Sequence, residues 1–121
     1  MVTGHVDDQF RALVRVPVGA TRDGPRQELV AWVDTAFNGG LTIPRALVAG
    51  LGLPQESSVE AVLADGRTVA LETFGCYFDW FGGTYQTQVV ASDGAYPLLG
   101  THLLSGRRLT IDYAARTVEL G

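Results

Sequence analysis

A single cysteine, Cys76, has no partner for a disulfide within the chain. No internal disulfide framework holds this fold, and a reducing cytoplasm is the expected compartment. Histidine is scarce too. His5 and His102 lie far apart, so with one cysteine they offer neither a zinc-binding set nor a Ser-His-Asp or Cys-His arrangement, and no metal is expected. Charge is sparse at 18%, and the net charge of −4 supplies no basic patch for nucleic acid or an anionic membrane. No run of about 18 apolar residues is present, so no spanning helix is expected. Met1 to Asp8 lacks the layout of a secretory signal.

What the chain does have is a length of 121 residues and an apolar share of 46%. The length suits one domain, 1–121, with a sizeable core. Many apolar residues beside few charges predict apolar surface covered by another subunit. Fifteen glycines and five prolines punctuate short apolar segments, the pattern of a strand-rich fold.

Leu13 to Val18 alternates as a half-buried strand, and Pro17 assigns it to an edge or an end. Gly19 to Gln27 is polar and turn-forming. Glu28 to Val33 is a nearly continuous apolar run, which predicts a strand covered on both faces. It stops at Asp34-Thr35-Ala36-Phe37-Asn38-Gly39-Gly40, a polar, glycine-rich turn. One helix follows, with Pro44 at its first position, Ile43, Leu47 and Leu51 at four-residue spacing, and Gly52 ahead of Leu53-Pro54 as the stop. Val59 to Leu63 and Thr68 to Thr73 flank Ala64-Asp65-Gly66-Arg67, a hairpin signal. A second hairpin runs from Cys76 through Gly82-Gly83 to Val89-Val90. After Asp93-Gly94 and Pro97 come Leu98-Leu99-Gly100 and a helical turn, Thr101 to Leu104. Two strands close the chain, Leu109 to Tyr113 and Thr117 to Leu120. The fold class is mainly β with one short helix.

The position richest in chemistry is Asp34. A carboxylate at the end of a buried strand is costly unless backbone N–H groups bond it. Two readings fit that setting. The side chain caps its own turn, as Asx turns do, or it is held ready for chemistry.

Val33-Asp34-Thr35-Ala36 resembles the hydrophobic-Asp-Thr-Gly signature of aspartic peptidases. Leu98-Leu99-Gly100 resembles the hydrophobic-hydrophobic-Gly element that supports the signature in that fold. Between them, the Asp65-Gly66 hairpin stands in the place of the substrate-covering flap. The order resembles retroviral-type, retropepsin-like peptidases over residues 10–120. Asp34 to Pro44, Leu63 to Gly66, Asp79-Trp80-Phe81 and Leu98 to Tyr113 are similar to a group of small prokaryotic clan AA members.

The resemblance implies a closed acid-protease barrel, one catalytic carboxylate per chain at Asp34, and a homodimer acting on peptide or protein substrates without a cofactor. It implies that Thr35 locks the two turns across a twofold axis. Leu98, Leu99 and Gly100 would hold the turn rigid together with Ala36, and Ala64, Asp65, Gly66 and Arg67 would close over substrate. Thr35, Phe37 and the terminal strand around Val118 and Leu120 are expected beside the partner. Two departures stand out. Ala36 replaces the usual Gly, and His102 stands where an acidic residue is common; we assign His102 no role. The alternative is a catalytically inactive dimeric barrel of the same fold that binds peptides or serves as a scaffold.

Overall fold

The computed structural model describes residues 1–121, the side chains of Val59 and Ala61 excepted. In chain order the elements are β1 (Val2–Val6), β2 (Ala12–Gly19), β3 (Gln27–Val33), β4 (Leu41–Pro44), α1 (Arg45–Leu51), β5 (Gln55–Val62), β6 (Thr68–Trp80), β7 (Gly83–Ser92), β8 (Leu98–Leu99), α2 (Thr101–Leu104), β9 (Leu109–Asp112) and β10 (Thr117–Leu120). Six of the strands close into a ring. β2 pairs β3, β3 pairs β8, β8 pairs β4, β4 pairs β7, β7 pairs β6, and β6 returns to β2. The expected mainly β closed barrel is therefore present. Among the described residues no helix is long and apolar enough to cross a membrane.

Long strands make the corners. β2 faces β3 along its length, while its other edge pairs β1 up to Val14 and β6 from Val18. Pro17 falls between these two partners, where its missing N–H breaks no ladder on that edge. The core follows the strand period of two. Val14, Val16 and Val18 point inward, with Ala31 and Leu29 opposite Val14 and Val16. Leu41, Ile43, Val89 and Leu99 complete the interior. Each such Val, Leu or Ile stabilises by about 1.5–3 kcal/mol on burial.

Four expectations are revised. β3 is covered on one face only: Leu29, Ala31 and Val33 are buried, whereas Val30 and Trp32 each remain 39% exposed. Ile43 belongs to β4, whose parallel pairing with β7 overrides its helical spacing to Leu47. Helix α1 then starts at Arg45, after Pro44, and ends at Gly52 in the left-handed region. Thr68 to Thr73 and Cys76 to Trp80 are not two strands but parts of one, β6, which runs unbroken through Gly75. A Cβ at Gly75 would land on the Glu56 carboxylate. Finally, Val118 and Leu120 lie in the chain's own core, at 1% and 0% exposure, on a strand paired by β1 on one side and β9 on the other.

Candidate active site

Asp34 sits where the barrel topology concentrates strand ends. The two-residue strand β8 lies between β3 and β4, parallel to the first and antiparallel to the second. The turn from Asp34 to Gly40 must therefore cross the end of β8, and its backbone groups find partners there. Asp34 N–H donates to Leu99 O at 2.9 Å, and Gly100 N–H donates to Gly40 O at 2.8 Å. Beyond β8, Thr101 N–H donates to Phe37 O at 2.8 Å and His102 N–H to Gly39 O at 3.1 Å. These bonds satisfy donors and acceptors of a turn next to the core, as buried backbone requires. Leu99 anchors the arrangement as a fully buried side chain. Gly100 is needed because its chain neighbour is so close. A Cβ there would meet the carbonyl oxygens of Gly39 and Phe37 and the Phe37 ring.

The side chain of Asp34 is half-buried, and Thr35 and Ala36 beside it are exposed. Its Oδ1 accepts the Ala36 N–H at 2.9 Å, and the Phe37 N–H reaches Asp34 O at 3.2 Å. Among the described residues it takes part in no ion pair. The local geometry is thus an Asx turn, which is also how an ionised carboxylate is held by a fixed donor. Ala36 is not among the residues of positive φ, so alanine fits here without backbone strain. The structure brings Asp34, Thr35 and Ala36 together with Leu98, Leu99 and Gly100 in one hydrogen-bonded unit.

The second predicted group, Ala64 to Arg67, forms the tip of the β5–β6 hairpin. Leu63 and Arg67 close the tip through Leu63 N–H to Arg67 O at 2.7 Å, with Gly66 at a φ of 86°. The Arg67 N–H and guanidinium both bond the Asp65 carboxylate and hold it below the ordinary aspartate range. All four tip residues are exposed, and among the described residues no hydrogen bond joins them to the Asp34 turn. At the base, Ser57 Oγ and Thr73 Oγ1 share a hydrogen bond at 2.8 Å next to a register shift between Gln55 and Ser57. Gln88 Nε2 donates to Glu56 Oε2 at 3.0 Å beside them. The hairpin is firmly rooted and free at its tip.

One cluster near Asp34 was not assigned from sequence. Trp32, two residues earlier on β3, meets Tyr96 edge to face at 6.4 Å between centroids. The Arg11 guanidinium lies over Tyr96 at 4.1 Å and over Trp32 at 5.8 Å. Asp7 fixes that guanidinium at 2.8 Å. Partial burial raises the Asp7 carboxyl, but the Arg11 N–H, the Arg11 guanidinium and the Gln9 N–H outweigh it, so the net shift is downward. The available signal was the period of two that places Trp32 beside Asp34.

A six-stranded closed ring in which the short β8 is threaded between β3 and β4, with an Asp-Thr turn over its end, defines the retropepsin-like aspartic protease fold. Three solved structures share it. The retropepsin-like aspartic protease from Rickettsia conorii aligns over 98% of this chain and 87% of its own, with a TM-score of 0.59 at 15% identity. The EIAV protease, solved with the inhibitor HBY-793, covers 81% of this chain and 88% of its own, at TM-score 0.55 and 18% identity. The simian foamy virus (mac) protease covers 76% and 90%, at TM-score 0.53 and 17% identity. No protein-family model matches the chain, and no curated protein matches it at a significant level. At these identities the likeness establishes the fold.

Proposed function

We propose that the chain is an aspartic endopeptidase that works as a homodimer, with Asp34 and the partner subunit's Asp34 activating one water between them. The observation that carries this reading is the Asp34 carboxylate itself. It has one fixed N–H donor, no ion-pair partner among the described residues, and a backbone N–H tied to Leu99 O. A group prepared in this way has nothing structural left to neutralise it.

One Asp-Thr turn per chain calls for a second chain, and a twofold axis supplies it as a closed, isologous pair. Two carboxylates about 3 Å apart cannot both ionise, so they share one proton. The ionised member takes a proton from the water, whose oxygen bonds to the peptide carbonyl carbon. The protonated member gives its proton to the carbonyl oxygen. When the C–N bond breaks, the leaving nitrogen takes a proton from the dyad while one hydroxyl of the tetrahedral intermediate returns a proton to it, and the second product is a carboxylic acid. The dyad returns to one shared proton, and no covalent enzyme intermediate forms. Thr35 would bridge the two turns, and the hairpin tip at Ala64 to Arg67 would cover the substrate as a lid.

Asp34→Asn tests the assignment, because the amide keeps the acceptor oxygen for the Ala36 N–H and removes the base. The expected outcome is an intact fold and dimer with hydrolysis of an unfolded protein substrate lost. Cleavage at the wild-type rate overturns it. Dimers with no cleavage in either form favour the alternative, a peptide-binding or scaffold barrel.

A further inference from the structure

Outside the Asp34 turn and the hairpin, an open cleft of about 290 Å3 lies between the β6–β7 hairpin and the chain from α2 into β9. Phe78, Trp80 and Leu103 form its apolar wall, and Tyr85, His102 and Arg107 bring polar groups to it. Its volume is at the small end of ligand sites, which run roughly 300–1,000 Å3.

The lining of this cleft includes an arginine and no acidic group. The chain carries a net charge of −4, yet no carboxylate lines the cleft. Arg11, Arg26, Arg45, Arg67 and Arg116 each pair with an aspartate or glutamate. Arg107, like Arg15, Arg22 and Arg108, makes no such pair among the described residues. Its guanidinium instead lies over the Phe81 ring at 3.6 Å. That ring is held at a cost, because Phe81 has a φ of 49°, a conformation that suits Gly or Asn. Phe81 meets Trp80 edge to face at 5.2 Å, and the Trp80 indole N–H donates to Leu103 O at 3.2 Å. Phe81 and Gly82 form the two-residue turn between the paired Trp80 and Gly83, which requires a positive φ at both positions, so a turn aromatic carries this cation at the edge of the cleft.

The geometry points to a binding site for a small, flat organic monocarboxylate. Its body would pack against Phe78 and Tyr85, whose rings lie 5.7 Å apart, and against Leu103. Its carboxylate would take two parallel N–H donors from Arg107, the match a guanidinium makes best. His102 and the Ser105 hydroxyl offer further hydrogen bonds. A single arginine without a carboxylate partner fits one negative charge, and the aromatic wall favours a flat apolar body beside it. The inference makes no use of Asp34, so it stands or falls apart from the peptidase reading.

The test is titration of the isotope-labelled full chain with benzoate, followed through the Trp80 indole N–H and the amides of Thr87 and Leu103. The expected result is a saturable shift at these groups, weakened at least roughly tenfold for benzamide and for Arg107→Gln, the effect of losing one charged hydrogen-bond pair. Phe81→Gly, which relieves the backbone and removes the support under Arg107, is expected to weaken benzoate severalfold while the melting temperature stays level or rises. The idea is overturned by no saturable shift up to about 20 mM, well above the millimolar range of weak ligands. Equal affinity for benzamide or in Arg107→Gln overturns it, as does inorganic phosphate binding as well as benzoate.

Discussion

Gly100 and Ala36 lie on opposite sides of one hydrogen-bonded turn, and the same question of space decides both. At Gly100 the obstacle is backbone, the carbonyl oxygens of Phe37 and Gly39, which cannot swing aside as a side-chain tip does. Gly100→Ala is therefore expected to destabilise the fold by about 1–3 kcal/mol or more, the range for forced overpacking. Denaturant unfolding measures this, and a midpoint unchanged from wild type would show that the turn yields freely. Ala36 faces solvent without strain, so Ala36→Gly acts chiefly through chain entropy, with a loss of roughly 0.5–1 kcal/mol. Its N–H to Asp34 survives, and the extra room is expected to leave peptide hydrolysis equal or higher. A large loss of rate at unchanged stability would reveal a packing role for the Ala36 methyl.

Among elements, β6 does most to shape the barrel, since it pairs β5, β2 and β7 along 13 residues. Cys76 sits in it at 0% exposure, and burial pushes its thiol up to about 11, against smaller opposing effects of the Gly19 N–H and Arg26. The thiolate is the reactive form, so native Cys76 is expected to resist alkylation at neutral pH and to react once unfolded. Rapid native labelling would mean that β6 opens readily. The strand also shows how far sequence reaches. Both hairpin turns and the Leu98-Leu99-Gly100 support are legible in the glycines and the Asp-Gly pair. The continuity of β6 is not, because Gly75 reads as a break until the Glu56 carboxylate lying across it is seen. β4 is hidden for a related reason: its four residues join two strands distant in the chain, and no local period records that. The Asp34 turn is legible as a motif, while the four backbone bonds that fix it depend on tertiary pairing.

For the whole molecule, the open matter is what covers the apolar residues left outside. Phe10 is 71% exposed at a φ of 61°, and Trp32 and Val30 remain 39% exposed on the strand that leads to Asp34. Exposed apolar groups on the strand that ends at Asp34 fit the proposed dimer. Sedimentation at high micromolar concentration is expected to give twice the mass of 12.9 kDa. A monomer that retains hydrolysis would defeat both the dimer and the shared-proton mechanism. Neither edge of β10 is open to pair with a second chain, since it is held between β1 and β9. That same pairing sets Val2 opposite Leu120, so the polypeptide nearly returns to its starting point. A circular permutant that joins the two ends and opens the exposed Thr21–Asp23 bend should therefore keep the barrel whole.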